Sequence, residues 1–281
     1  MKPLTLPIQD LIKANDCRFG LYIVKHCADY LMNKVVASTR ELRINNTIVV
    51  IVHGIKTRST WQGEVKQALE KVGLIAIPTN YEKYDLLRFL FPLEWFNRAA
   101  IKIVEDEIKR VNNKFTDGHI SILAHSFGTY ITGKILLSKK YKFDRIALCG
   151  SVLPMSFNFH LAEGNVSKII NEVGCKDIWP VFAAKCSLKY GSSGSFGFNR
   201  GNYVEDRKHV DFAHSDFLNA KFCERFWIPY FCGNSIILPG DVTAKPSKLI
   251  TFLDNTIFFW SAFLGFGLIF YFLIKLLIRY L

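Results

Sequence analysis

Ile120-Ser121-Ile122-Leu123-Ala124-His125-Ser126-Phe127-Gly128 is the stretch on which the reading of this chain turns. An apolar run of strand length meets a serine that has small residues two positions before and two after it, and helical spacing follows from Gly128 to Leu137. This is a G-x-S-x-G elbow with Ala124 at the first glycine. Small residues let the backbone turn sharply from strand to helix, which lifts the serine to the top of a sheet. The same position lies at a helix N-terminus, where developing negative charge is favoured. Ser126 therefore reads as a nucleophile. Ala124 adds a methyl group at a tight site, tolerable where the neighbouring helix stands slightly away.

Working upstream, Thr47–Val52 (TIVVIV) is a continuous β-branched run, the mark of a strand buried on both faces of a parallel sheet. It ends in His53-Gly54. Backbone N–H groups after that strand, with the N–H of Phe127, would form an oxyanion hole, which names Phe127 with Ile55 or Gly54. His53 is given no catalytic role. An amphipathic helix is expected over Trp61–Val72, closed by Gly73, then a short strand over Leu74–Pro78. Helical spacing recurs over Ala99–Val111, and further strands are read at Arg145–Cys149 and Lys168–Val173. Strand and helix alternate, so the fold class is α/β with a mostly parallel central sheet flanked by helices.

A serine of this kind needs a base and an acid, in the chain order Ser, Asp or Glu, His. Three histidines follow Ser126: His160, His209 and His214. His160 precedes any suitable acid. His209 sits in the charged run Glu205-Asp206-Arg207-Lys208 and reads as a solvated surface residue. His214, after that run and before a helix-like segment, is the favoured base. Asp177, in a Gly-containing turn after a strand, is the favoured acid, with Asp206 and Asp211 as rivals and a turn or N-cap role as its structural alternative.

These pieces resemble the α/β-hydrolase superfamily, most of all its bacterial lipase-like and serine-esterase-like members. The resemblance is carried by the His53-Gly54 turn, the elbow, Ile146–Pro154 (IALCGSVLP), Asp177-Ile178-Trp179-Pro180 and His214-Ser215-Asp216, over residues 47 to about 231. It implies an α/β-hydrolase fold in which Ser126 is nucleophile, Asp177 orienting acid and His214 base. It also implies two-step acyl transfer that needs no metal or cofactor. Ala124, the first 45 residues and the C-terminal run depart from the family pattern.

The chain has 281 residues, half of them hydrophobic, and a mean hydropathy of +0.16. That length and composition exclude a disulfide mini-protein, a collagen-like repeat and an intrinsically disordered chain. The positive hydropathy traces to Thr256–Ile274, an uncharged run that as a helix would extend about 28 Å, the thickness of a bilayer's hydrocarbon core. Lys275 and Arg279 follow it and would snorkel to the interface. The first residues show no signal-peptide pattern, so the run is expected to be a tail anchor holding the catalytic domain on the cytoplasmic side, in a bacterial inner membrane. The expected organisation is a helical segment at 1–45, the hydrolase domain at 46–237, a linker at 238–255, the membrane helix at 256–274 and a basic tail at 275–281.

Seven scattered cysteines without a C-x-x-C suit reduced thiols. The net charge of +12 comes without a helix-turn-helix, zinc-finger or RNP pattern, so a membrane is the expected partner and no nucleic acid is, with a merely solvated basic surface as the alternative. The Gly/Ser-rich stretch 190–201 reads as a mobile loop. Tyr84–Phe96 carries Leu86, Phe89, Leu90, Phe91 and Trp95, and reads either as a lid that brings acyl chains to Ser126 or as a core helix broken at Pro92. The sequence leaves three functional readings: an anchored hydrolase of lipid or acylated substrates, a tethered hydrolase of soluble esters or amides, and a catalytically silent membrane interaction module. Oligomeric state is not legible.

Overall fold

Six parallel strands in the order β2-β1-β3-β4-β5-β6 form the centre of the computed structural model. The structure describes residues 25, 26, 28–34, 46–55, 60–81, 89, 97–199, 203–233, 243–261, 264, 265, 271, 272 and 275. The chain divides into two units, Met1–Ile44 and Asn45–Leu281. In the first, residues 25, 26 and 28–34 are helical.

The strands are β1 (Thr47–Val52), β2 (Ile75–Pro78), β3 (His119–His125), β4 (Phe143–Cys149), β5 (Val166–Gly174) and β6 (Glu205–His209). All six residues of β1 are buried, as its two-sided apolar run requires. Helix α1 (Thr60–Lys71) connects β1 to β2, α2 (Arg98–Lys114) precedes β3, and α3 (Phe127–Ser138) links β3 to β4. Helix α1 stops at Gly73, whose φ of +89° lets the N–H of Leu74 reach back to the carbonyl of Leu69. Ala100, Val104, Ile108 and Val111 bury one stripe of α2, while Lys102, Asp106 and Arg110 stay in solvent. Helix α3 is buried almost all round, as expected of the helix behind the elbow.

Five further helices follow among the described residues: α4 (Trp179–Cys186), α5 (Ser193–Phe196), α6 (Ala220–Phe222), which runs through a π turn at Cys223–Trp227 into α7 (Ile228–Phe231), and α8 (Lys248–Asp254). Successive strands step from β1 out to β2, then jump back across β1 to β3. The carboxyl ends of β1 and β3 thus flank the topological switch point, where open α/β sheets bind ligands.

Several expectations change against the coordinates. His209 is buried, not solvated, because the charged run Glu205–His209 is the strand β6. Residues 190–199 do not form an open loop: Ser192, Ser193 and Ser195 are buried, and a Cβ at Gly191 or Gly194 would strike the backbone of Pro154 or Ser151. The transmembrane helix expected over 256–274 is not supported by the described residues, none of whose helices is long and apolar enough to cross a membrane. Residues 256–261 are helical, and 262, 263, 266–270, 273 and 274 lie outside the described set. Within the stretch read as a linker, 248–254 is the helix α8, with Ile250 buried and Ser247 capping its N-terminus.

Candidate active site

The register of β1 on β3 pairs Val52 with Ala124, so the residues leaving the two strands, His53-Gly54 and His125-Ser126, meet at the switch point. Ser126 has φ +53° and ψ −124°, a conformation rare for a residue with a side chain. It persists because the elbow is held on all sides. The Ser126 N–H donates to the Cys149 carbonyl at 2.9 Å, and the Thr129 hydroxyl donates back to the Ser126 carbonyl at 2.6 Å. The glycines have steric reasons. A Cβ on Gly128 would lie 2.4 Å from the Val52 carbonyl oxygen, and one on Gly54 would lie 2.8 Å from the Ser126 Cβ. Ala124 is fully buried within β3, so its extra methyl group is accommodated in the sheet.

Asp177 sits three residues beyond the end of β5 and His214 five beyond β6. The sheet brings them together: His214 Nδ1–H donates to Asp177 Oδ2 at 2.8 Å. The Asp177 carboxyl is fully buried, and its other oxygen accepts the N–H of Trp179 at 3.0 Å. With Nδ1 committed to the carboxylate, His214 keeps its lone pair on Nε2. Of the rivals, Asp206 accepts from Asn171 and from the backbone N–H groups of Phe198 and Asn199, and Asp211 is an exposed partner of Lys176.

Ser126 and His214 line one cavity of about 230 Å³ with Gly54, Ile55, Phe89, His125, Val152, Trp179, Phe182 and Ser215. Both candidates of the β1 turn for the oxyanion hole, Ile55 and Gly54, are on its wall. Phe127 follows Ser126 as the first residue of α3, with its ring buried against Phe89 and Tyr81. Of the lid candidates, Phe89 is buried, stacked on Tyr190 at 4.3 Å, and part of the cavity wall. Leu86, Leu90, Phe91 and Trp95 lie outside the described residues.

Four residues at the site escaped the sequence reading. Gly150 (φ +53°) is the floor of the Asp–His pair: a Cβ there would approach His214 Nδ1 to 2.9 Å and Asp177 Oδ2 to 3.3 Å. Its place one residue past a strand end, in the motif Cys149-Gly150-Ser151, was the available signal. His125 donates from Nε2 to the His214 carbonyl at 3.0 Å, and burial, reinforced by the neighbouring His214, holds its pKa well below the ordinary histidine value. Trp179 and Phe182, one helical turn apart on α4, form the outer wall. No local pattern announces them. His53 stays outside the chemistry: burial lowers its pKa, its ring stacks on Tyr81 at 4.0 Å, and its carbonyl accepts from the Tyr81 hydroxyl.

A second carboxylate–histidine pair lies one layer deeper. Glu172 accepts from Arg207 on both oxygens, from Trp227 Nε1 at 2.9 Å and from His209 Nε2 at 2.8 Å. Burial pushes the Glu172 carboxyl up, but the Arg207 guanidinium and the bond to His209 outweigh it and hold it below the ordinary carboxylate range. Burial and the nearby carboxylates of Glu172 and Asp177 push the Cys149 thiol well up, which makes it inert. Among the described residues no group of three or more His, Cys, Asp or Glu side chains could hold a metal ion, and Cys149, Cys175, Cys186, Cys223 and Cys232 are free thiols.

The parallel sheet, its strand order and the positive-φ serine at the strand–helix junction are what the α/β-hydrolase resemblance led one to expect, and Asp177 and His214 follow Ser126 in the order it implies. No family model and no curated sequence matches the chain. Among solved structures it is similar to an alpha-beta serine hydrolase homologue from Coxiella burnetii, at 13% identity and a TM-score of 0.44, covering 66% of this chain and 84% of that one. A thermostable carboxyl esterase from Bacillus coagulans is similar at 12% identity and a TM-score of 0.45, covering 67% and 90%. A lipase in its open form stands at 14% and 0.45, covering 66% and 89%. The functional reading rests on the site itself.

Proposed function

We propose that this chain is a serine hydrolase that cleaves the ester or thioester bond of a lipid or acylated substrate. One observation carries the reading: a strained elbow serine and a histidine held by a buried aspartate line the same cavity, whose remaining wall is mostly apolar. His214 Nε2 takes the proton of Ser126 as Oγ attacks the substrate carbonyl carbon. The carbonyl π electrons move to oxygen, and the N–H groups of Phe127 and of Ile55 or Gly54 receive that oxyanion. When the C–O or C–S bond breaks, the imidazolium hands its proton to the leaving alcohol or thiol. Water, deprotonated by the same nitrogen, then frees the acid and restores Ser126. Asp177 fixes the tautomer and stabilises the imidazolium without leaving its place.

The apolar wall of Ile55, Phe89, Val152, Trp179 and Phe182 suits an acyl chain. The uncharged run Thr256–Ile274 supports attachment of the chain to a membrane. The test is hydrolysis of p-nitrophenyl esters from acetate to palmitate by the full chain, alongside Ser126→Ala. Turnover that persists to long chains and falls to background in the variant supports the proposal. Turnover unchanged in Ser126→Ala, or none with any ester, overturns it.

A further inference from the structure

On one side the Ser126 cavity is walled by α4. Its outer wall, Trp179 and Phe182, lies on one face of α4, and Lys185 extends the same face by another turn. That face carries the beginning of the C-terminal apolar run. The Phe182 ring meets Phe259 at 6.0 Å, and Lys185 donates to the Asp254 carbonyl and to Thr256 Oγ1. The chain turns at Asn255, which ends α8 with an extended backbone and caps the next helix by accepting the Ile257 N–H on Oδ1 at 3.1 Å. An unbroken track of rings therefore runs from His214 through Trp179, Phe182 and Phe259 to Trp260, each centroid within 6.4 Å of the next.

Large apolar residues beside this track face outward. Trp179 is 51% exposed and Trp260 43%, while Leu249 and Phe252 present the outer side of α8 and Phe258 packs on Phe252. Large aromatics half-exposed beside a substrate cavity are costly in water unless something covers them. Tryptophan at a rim is the residue that bilayer interfaces favour. Exposed Lys245 and Lys248 flank the patch on a chain of net charge +12 and offer ammonium groups to anionic headgroups. Phe258 and Trp260 of the patch belong in sequence to the run Thr256–Ile274, which bears no charge.

We propose that the rim formed by Trp179, Leu249, Phe252, Phe258 and Trp260 docks on an anionic lipid bilayer, so that the Ser126 cavity opens at the membrane surface and takes its acyl substrate from that bilayer. The proposal rests on the acyl-hydrolase reading and adds where the substrate comes from. Docking places the mouth of the cavity at headgroup depth, where an acyl ester is presented without first leaving the membrane.

The test uses the full chain on vesicles of equal parts phosphatidylcholine and phosphatidylglycerol, with bromine on the acyl chains as a short-range quencher. The emission difference between wild type and Trp179→Phe isolates Trp179. The proposal expects roughly half or more of that difference to be quenched. It also expects Leu249→Glu/Phe252→Glu to lower turnover of the vesicle phospholipid by about tenfold or more, with fluorophosphonate labelling in detergent unchanged. Trp179 emission untouched by bromolipid, with Ser126 still labelled, overturns the docking and leaves the hydrolase standing. Quenching without labelling overturns the hydrolase and leaves the docking. A Leu249→Glu/Phe252→Glu variant that turns a dimer into a monomer, with no change on vesicles, assigns the patch to a second copy and also overturns the proposal.

Discussion

Two carboxylate–histidine pairs hang from the carboxyl ends of the same two strands, and their contrast shows how position decides role. Glu172 meets His209 through the register that sets Glu172 opposite Arg207. Its oxygens are filled by Arg207, Trp227 and His209, and aromatic rings of Phe212, Phe217, Phe222 and Phe226 surround the imidazole. Such a pair has no room for a substrate, and its fixed charges hold the strand ends together. Asp177 meets His214 after both chains have left the sheet. It spends one oxygen on the Trp179 N–H and the other on the histidine, and the histidine remains 15% exposed on a cavity wall beside Ser126. The first arrangement is closed on every side, whereas the second leaves the histidine on a cavity wall, where the proposed mechanism needs it.

The contrast is breakable in order of effect. Asp177→Asn should fold normally and lose about ten-thousandfold in kcat, because the wrong histidine tautomer then faces Ser126. Ester turnover and a urea melt on one preparation check both halves; an unstable but active variant would reverse the two roles. Arg207→Met should do the opposite and cost about 3–5 kcal/mol of stability, since Glu172 is left with an uncompensated buried charge. Active-site titration of its folded fraction should still find a competent serine.

Gly150→Ala touches the join between the pairs. It forces a Cβ into the left-handed region at a cost of about 1–2 kcal/mol, and it crowds His214, so turnover should fall with little change in KM. An unchanged kcat would mean that the floor of the site is loose.

The smallest effect concerns His125. Burial holds its folded-state pKa well below the ordinary histidine value, so as the pH falls through that ordinary value the unfolded chain binds a proton that the folded chain refuses. Stability must then rise with pH through that range and fall as the pH drops, by up to about 1.4 kcal/mol per pH unit from this one group. His125→Gln removes that contribution. Urea midpoints between pH 5 and 7 in the two proteins measure it, and equal slopes would show His125 charged in the native state.

Much of this was legible in the sequence, for reasons that differ by residue. Small residues two before and two after Ser126, set between a strand-length apolar run and helical spacing, prescribed the turn that the coordinates contain. Thr47–Val52 could bury only as a central strand, and chain order narrowed the acid and base to candidates that the sheet brings together. What hid was long-range. Glu205–His209 has no apolar period, so nothing local shows that Arg207 is neutralised by Glu172 across a strand boundary. The glycines of 190–199 read as freedom, whereas Gly191 and Gly194 are small so that backbones can touch. Trp179, Phe182 and Phe259 form one track only after α4 and the C-terminal helix pack together.

The central claim is that the fold activates Ser126 through His214. Fluorophosphonate labelling of the full chain, with the adduct located by peptide mass mapping, tests it most directly. The account predicts one adduct per chain, on Ser126, forming about a thousandfold more slowly in His214→Ala and at the wild-type rate per folded molecule in Arg207→Met. No adduct, an adduct on another serine, or a rate indifferent to His214 would contradict it.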